Sequence, residues 1–245
     1  MKIDAILSPL ELPALAHRDL SGTTCVVFDI LRATSTFVTA LNNGAKEVIP
    51  VSEIAEATKR RQQQPDALLA GERNGVRILA AQSGDTDFDF GNSPREFTPN
   101  KVRGKTIVST TTNGTRALRA CAGANTILAA SFLNLSATAK FLAKLQSEEL
   151  LLICAGTGDG VALEDVLAAG ALAELLADEL SDSAEVARQT FLRLKSDLPS
   201  AIAGSANGRR LLGIPELQAD VAFCSQRDVV NLIVKMDANG CLRPL

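Results

Sequence analysis

Short apolar segments alternate with segments of helical periodicity along most of this chain. The apolar segments are typical of strands buried on both faces, as in parallel sheets. They predict strands at residues 24–30, 47–51, 67–70, 106–109, 126–130 and 149–154. The helical patterns predict helices at residues 33–43, 53–64, 114–121, 134–145 and 163–180. The alternation predicts an α/β fold with three α/β/α layers around a largely parallel or mixed sheet.

Two parts of the chain depart from this alternation. Residues 72–104 are rich in Gly, Asn, Asp, Ser and Pro, and their three phenylalanines predict an ordered, packed loop. Residues 183–222 are helical but irregular. The apolar run 229–234 then predicts a strand that leads through a turn at 237–240 into a short final strand.

The domain organisation predicted is a single α/β domain over residues 1–245, because no shift in composition marks a linker. Polar strand–helix turns recur at 29–36, 109–115 and 155–165. Their recurrence leaves open an arrangement in two similar packed halves, with a subdomain division near residues 100–125.

Composition changes this picture mainly by excluding partners. The 245 residues carry a net charge of −3 with a pI near 5.3 and contain no Trp or Tyr, so nucleic acid and anionic membranes are not expected partners. Residues 1–7 carry charge within a short apolar run, unlike a signal peptide or a membrane span. We therefore expect a cytoplasmic protein, and assembly into a homo-oligomer stays open.

The cysteines and the single histidine exclude further chemistry. The five cysteines are widely spaced without a Cys-x-x-Cys pair, and His17 is the only histidine, which argues against a zinc site and against Ser-His-Asp catalysis. Cys25 and Cys154 lie in apolar strand segments, so we expect buried thiols in a reducing compartment.

A run of small polar residues, Ser109-Thr-Thr-Thr-Asn-Gly-Thr115, occupies the turn between a predicted strand and a predicted helix. Free backbone N–H groups and the positive end of a helix dipole meet at such a turn, which suits an anion such as phosphate. One or two such residues would indicate only an ordinary helix N-cap. The uninterrupted run favours an anion site, and the residues expected to contact the anion are Thr111, Thr112, Asn113 and Gly114.

Carboxylates and guanidinium groups follow two other predicted strands. Asp29 ends a buried strand and Arg32 lies three residues on, so the two either form a structural pair or face a charged ligand in a cleft. Glu72 and Arg73 repeat the combination, and Arg suits phosphate because its planar fork bonds two oxygens. Leu31 stands where haloacid dehalogenase-type phosphatases need a second Asp, which excludes that chemistry.

Two further polar clusters complete the set of candidates. Asn92 and Ser93 lie in a turn whose side chains bond either their own backbone or a ligand. Glu164 and Asp165 begin a helix after a Gly-rich turn that matches neither the GxGxxG pattern nor a P-loop. The helix dipole alone favours carboxylates there. The alternative is that both point back at the crevice and, with Asp29, hold Mg2+, which prefers oxygen ligands.

Five of these segments, taken in order, resemble the 2-phosphosulfolactate phosphatase family of coenzyme M biosynthesis. The segments are Val27-Phe-Asp-Ile-Leu-Arg-Ala-Thr-Ser-Thr36, Gly71-Glu-Arg73, Gly91-Asn-Ser-Pro94, Thr111-Thr-Asn-Gly-Thr115 and Glu164-Asp165. The likeness covers residues 3–235. It implies an α/β/α layered, Mg2+-dependent phosphatase that hydrolyses (R)-2-phospho-3-sulfolactate to 3-sulfolactate and phosphate. The chain departs from the pattern at Asn207, which stands where the family often has His.

Two functional hypotheses follow. In the first, a Mg2+-dependent phosphatase acts on a small anionic phosphate ester, with Asp29, Glu72 and Arg32 in catalysis and with Arg73 and the polar turns binding substrate. A related phosphorylated 2-hydroxy acid is the alternative substrate, because the family also occurs in organisms not expected to make coenzyme M. In the second, a non-catalytic protein binds an anionic metabolite in the same pocket, although such a protein has no need of converging carboxylates.

Overall fold

The computed structural model describes residues 1–84, 86–145 and 147–245. Its strands in chain order are β1 Lys2–Ile6, β2 Thr23–Phe28, β3 Glu47–Pro50, β4 Leu68–Arg73, β5 Val76–Arg77, β6 Thr106–Thr110, β7 Thr126–Ala130, β8 Glu149–Cys154, β9 Glu179–Leu180, β10 Val234–Met236 and β11 Leu242–Pro244. Its α-helices are α1 Ala33–Asn42, α2 Ile54–Gln63, α3 Ala80–Ser83, α4 Pro99–Val102, α5 Gly114–Ala120, α6 Leu135–Leu142, α7 Leu163–Leu176, α8 Asp182–Leu194, α9 Leu198–Ala203, α10 Ala206–Leu212 and α11 Gln218–Cys224. Short 3-10 segments lie at Pro9–His17, Pro94–Glu96, Phe132–Asn134 and Lys195–Asp197.

The strands form one mixed sheet in the order β5-β4-β6-β3-β11-β10-β7-β2-β8-β1-β9. Two blocks within it are parallel: β4, β6 and β3 form the β4 block, and β7, β2, β8, β1 and β9 form the β2 block. The antiparallel hairpin β10–β11 joins them, because β10 pairs antiparallel with β7 and β11 pairs antiparallel with β3. Following these directions across the hairpin, the two blocks run in opposite directions.

Apolar side chains of the central strands alternate between two cores, one on each face of the sheet. In β2, Val26 and Phe28 belong to one core, and Cys25 and Val27 belong to the other. Helices α6, α7 and α8 complete the first core, and α1 and α5 complete the second. Helices therefore cover both faces, which confirms the predicted α/β/α layering.

The phenylalanines in the described part of the long connection between β4 and β6 are packed, as predicted. Phe88, Phe90 and Phe97 are buried, and the ring centroids of the last two lie 4.8 Å apart. All five cysteines are buried free thiols, as expected for Cys25 and Cys154. Within the described ranges, no helix has both the length and the apolar character needed to cross a membrane.

One strand prediction is wrong, and the first strand is missing from the predicted set. Residues 229–234 do not form the predicted strand, and β10 begins only at Val234. The Val230 N–H instead donates to the Leu133 carbonyl, which belongs to a 3-10 segment. β1 is missed by the apolar pattern because Lys2 and Asp4 interrupt it, yet this strand pairs along its whole length with β8.

Candidate active site

A cavity of about 340 Å³ opens where loops from the two strand blocks meet. Six of the residues predicted for a site contribute to its wall. They are Asp29, Arg32, Glu72, Asn92, Thr112 and Asn113. Loops that the sequence analysis singled out therefore meet at this cavity, and the contacts of each side chain decide what each can do.

Asn113 fastens the loops of the two blocks to each other. Its side-chain Nδ2 donates to the carbonyls of Ala155 and Gly158, each at 3.0 Å. Asn113 follows β6 of the β4 block, whereas Ala155 follows β8 of the β2 block. The turn lies beside Glu72 and Arg32, as expected. These residues do not, however, come from the same edge of a parallel sheet, because the two strand blocks run in opposite directions. The side-chain N–H groups expected to meet a phosphate are already used in this clasp.

Asp29 presents one carboxylate oxygen towards the cavity. Its Oδ1 accepts the Ala33 N–H at 3.0 Å and so satisfies an open backbone donor at the start of α1. Its Oδ2 lies so close to α5 that a Cβ at Gly114 would come within 2.6 Å of it. The pKa of Asp29 is raised to about 7, mainly by burial. The nearby charges of Glu72 and Glu164 also raise it, and the Ala33 hydrogen bond and the charge of Arg32 oppose the shift.

Glu72 holds two segments of the cavity wall in place. Its Oε1 accepts the N–H and the hydroxyl of Thr112, at 3.0 and 2.9 Å. Its Oε2 accepts the Gly75 N–H at 2.7 Å. Both oxygens of this buried carboxylate are therefore occupied by protein donors.

Arg32 does not pair with Asp29, which corrects one of the two readings of that motif. Its Nη1 lies 2.7 Å from Asp220 Oδ2, and its Nη2 donates to the Gly75 carbonyl at 2.8 Å. Ser93 donates its hydroxyl to the other Asp220 oxygen at 2.6 Å. Asp220 is fully buried on α11, far along the chain, and no local pattern distinguishes it in the sequence.

Asp165 and Glu164, at the start of α7, are both buried but have different contacts. Asp165 accepts the Ile30 N–H at 2.8 Å and the Gly156 N–H at 3.0 Å, so it fastens the loops that follow β2 and β8. Burial, followed by the charges of Asp29 and Glu164, raises the pKa of Asp165 well above its ordinary value. Glu164 accepts the Asn207 amide at 2.8 Å through Oε1, and its buried Oε2 has no hydrogen-bond partner.

These contacts determine which carboxylates fit a metal ion. Across the described residues, Asp29 Oδ2 and Glu164 Oε2 accept no hydrogen bond, whereas both Asp165 oxygens do. Mg2+ is commonly held by one or two carboxylates together with waters and substrate phosphate, so Asp29 and Glu164 fit it. The predicted set of three carboxylates does not form, since the described chain contains no group of three His, Cys, Asp or Glu side chains placed to bind one ion.

Four predicted binding residues lie outside the cavity wall: Arg73, Ser93, Thr111 and Gly114. Arg73 donates to the Glu72 carbonyl at 2.7 Å and to the Thr110 hydroxyl at 3.1 Å, so it braces the β4 block. Thr111 accepts the Thr115 N–H at 3.2 Å and acts within its own turn. Asn92 does line the cavity, and its buried Oδ1 has no partner.

Two cavity residues come from α10, in the region where the sequence predicts only irregular helix. Asn207, noted above as a departure from the family pattern, donates its amide to Glu164 and to the Thr157 hydroxyl. Its Oδ1 accepts Arg210 Nη2 at 3.2 Å. Arg210 is missed by the sequence because nothing in its neighbourhood marks it as different from Arg209.

The sequence of this chain matches a known protein family. A family model described as 2-phosphosulpholactate phosphatase matches residues 10–239. The chain belongs to this family. The motifs quoted above therefore identified it correctly, and family membership makes the chain a phosphoric monoester hydrolase.

Three relatives illustrate the similarity within the family, and each is named "Probable 2-phosphosulfolactate phosphatase". The protein of Thermotoga petrophila is 42% identical over 94% of this chain and 93% of its own length. That of Caldanaerobacter subterraneus subsp. tengcongensis is 40% identical over 94% of each chain. That of Clostridium acetobutylicum is 35% identical over 95% of this chain and 96% of its own.

Proposed function

We propose that this enzyme is a Mg2+-dependent phosphatase that hydrolyses 2-phospho-3-sulfolactate, or a related phosphorylated 2-hydroxy acid, to the hydroxy acid and phosphate. The names of its relatives support the choice of substrate. A cytoplasmic place in coenzyme M biosynthesis belongs to the same proposal. The five free, buried thiols agree with a reducing compartment.

The charge balance of the cavity is the observation that carries this proposal. Asp29 and Glu72 line the cavity and Glu164 lies beside Asp29, whereas Arg32 is paired with Asp220 and Arg210 contributes one positive charge. A substrate with phosphate and carboxylate groups would add several negative charges to this space. Because like charges repel strongly in a buried site, we infer that a cation accompanies the substrate.

Asp29 and Glu164 are the residues that would hold Mg2+. When bound, the ion would neutralise phosphate charge and polarise the phosphoryl group. The raised pKa of Asp29 fits this assignment, since a carboxylate destabilised by burial and by like charges gains most from a bound cation.

The chain's own residues bind and orient the ester. Arg32 has five N–H donors and uses two of them on Asp220 and Gly75, so further donors are available to the phosphate oxygens. Glu72 keeps the Thr112 turn against the cavity. Catalysis would therefore rest on fixing the ester and neutralising charge that develops in phosphoryl transfer.

A panel of phosphate monoesters, assayed with Mg2+ and then with EDTA, tests the proposal. We expect phosphate release from 2-phospholactate and 2-phosphosulfolactate, loss of release in EDTA and recovery with added Mg2+. Full activity in EDTA would remove the metal from the proposal. Tight binding of these esters without phosphate release would instead favour the non-catalytic metabolite-binding protein.

A further inference from the structure

Two guanidinium groups line the cavity, and they differ in their partners. Arg32 is buried and pairs with Asp220. Arg210 is exposed at the cavity wall, and within the described part of the chain it forms no ion pair. Its guanidinium donates to the neutral amide oxygen of Asn207 at 3.2 Å. The positive charge of Arg210 is therefore available to a ligand in the cavity.

The position of Arg210 is fixed by Asn207 on the same helix and by the cavity wall at Gly75. Asn207 accepts from Arg210 with one end of its amide and donates to Glu164 with the other. Arg210 also lies over Gly75, where a Cβ would come within 2.7 Å of Nη1. Gly75 has φ +81, so an L side chain would be strained there as well. Glycine at this position leaves room for the guanidinium beside the cavity.

The spacing of these groups selects the chemistry of the ligand. A single amide side chain, that of Asn207, separates Arg210 from Glu164, one of the two carboxylates that fit a cation. A substrate that places a phosphate near the cation and a second anion near Arg210 must carry both groups on neighbouring atoms. In a phosphorylated 2-hydroxy acid, the phosphate oxygen and the carboxylate are attached to the same carbon.

We infer that Arg210 binds the substrate carboxylate through its planar fork and thereby makes the enzyme select phosphate esters of 2-hydroxy acids over simple alkyl phosphates. This inference rests on the proposed function for its substrate class. It adds a specificity-determining residue to a cavity whose other arginine, Arg32, is ion-paired with Asp220.

The test compares two esters that differ only in the carboxylate. 2-Phospholactate carries a carboxylate where isopropyl phosphate carries a methyl group. We expect Arg210→Ala to raise KM for 2-phospholactate by about 10- to 100-fold, since a hydrogen bond to a charged group is lost. The Ki values of isopropyl phosphate and of inorganic phosphate should change by less than about 2-fold, because neither ligand reaches Arg210 with a carboxylate. Arg210→Lys should recover part of the loss, since Lys keeps the charge without the fork.

Arg209→Ala is the matched control. Arg209 is the neighbouring residue on α10, it donates to the Gly204 carbonyl, and it does not line the cavity. We expect this variant to have the wild-type KM for 2-phospholactate and the wild-type Ki for isopropyl phosphate. If Arg210→Ala weakens the binding of 2-phospholactate and isopropyl phosphate equally, Arg210 contacts the phosphate instead of the carboxylate. If the KM for 2-phospholactate is unchanged, Arg210 has no role in binding. Either result overturns the inference.

Calorimetric binding of lactate separates this inference from the proposed function. If the wild type hydrolyses no ester but binds lactate in an Arg210-dependent way, the function fails and carboxylate recognition stands. If the wild type hydrolyses 2-phospholactate and Arg210→Ala does so equally well, the function stands and the inference fails. Thermal unfolding of each variant shows whether it is folded, and the Lys variant decides the question if the Ala variant is not.

Discussion

At the scale of single residues, Asp29 is placed where its ionised form is unfavourable. Burial is the main reason that its pKa rises to about 7, and the charges of Glu72 and Glu164 add to it. The pKa of Asp165 is also raised well above the ordinary value, again mainly by burial. These groups store unfavourable free energy that a proton or a bound cation releases.

The pH dependence of stability follows from the direction of this shift. In the protein without metal, we expect the free energy of unfolding to fall as pH rises from about 4 to about 7. The folded-state pKa of Asp29 lies above the ordinary value of 3.8, so over this interval the folded state binds more protons than the unfolded state. The stabilisation that comes from protonated Asp29 is fully present below the pKa of Asp29 in the unfolded chain. It is lost as the pH rises through the pKa of Asp29 in the folded protein.

The Asp29→Asn variant shows how much Asp29 contributes to the pH dependence of the free energy of unfolding. We expect chemical denaturation in EDTA to give a smaller decrease in stability between pH 4 and 7 than for the wild type, with the remaining decrease due to Asp165. Asp66→Asn, at an exposed carboxylate, is the control and should follow the wild type. Identical pH profiles for Asp29→Asn and the wild type would contradict the raised pKa.

The site could be predicted from sequence only where a local pattern marks a residue. Asp29 and Glu72 each come at or near the end of an apolar strand, and this position brings them to the cavity. Asp220 and Arg210 lie on short helices with no regular apolar pattern. Their importance comes from contacts with Arg32 and Asn207 that exist only after folding.

At the scale of secondary-structure elements, α7 and α8 pack unusually closely through a glycine. A Cβ at Gly170 of α7 would come within 2.0 Å of the Ala187 carbonyl oxygen of α8. The obstacle is a backbone atom, which cannot turn aside as a side chain can. The residue therefore sets the distance between two helices of the first core.

Gly170→Ala should destabilise the protein by about 1–3 kcal/mol, the usual cost of overpacking. The better helix propensity of Ala, about 1 kcal/mol, opposes this loss but cannot remove the clash. Urea denaturation provides the measurement. Gly22→Ala is the control, because no atom lies within 4 Å of the added Cβ and φ there is outside the left-handed region. Stability equal to the wild type in Gly170→Ala would show that the helices can separate freely.

The main elements are predictable because their apolar periodicity is local. The predicted helix at 33–43 and the predicted strand at 149–154 correspond closely to α1 and β8. The run 229–234 has the composition of a strand but bonds to a 3-10 segment, which composition cannot reveal. The direction of the two strand blocks is equally hidden, since it depends on how β10 and β11 pair with strands far away in the chain.

At the scale of the whole molecule, the cavity lies on the boundary between the two strand blocks. The Asn113 clasp joins a loop of the β4 block to the loop after β8 of the β2 block. Glu72 acts on the β4 side of this boundary, and Asp29 and Asp165 act on the β2 side. The relative position of the blocks therefore determines the shape of the site.

Asn113→Ala should loosen this boundary. We expect faster hydrogen exchange in the loop at residues 155–160 and a loss of about 1–3 kcal/mol in stability, because two hydrogen bonds disappear and two carbonyls lose their partner. We also expect kcat/KM for 2-phospholactate to fall by about 10-fold or more, since the reacting groups come from both blocks. Asn125→Ala, at an exposed turn, is the control. Unchanged exchange in this loop would show that the blocks keep their positions without the clasp.

The position of the β10–β11 hairpin has a consequence for the order in which the protein is synthesised. The hairpin follows every other described strand in the chain, yet it occupies the middle of the sheet between β3 and β7. While the ribosome is still making residues 234–244, β3 and β7 each have one edge without a partner strand. Unpaired strand edges readily join other chains. Newly made or refolding molecules are thus most prone to aggregate just before the hairpin inserts, and their yield should fall as protein concentration rises.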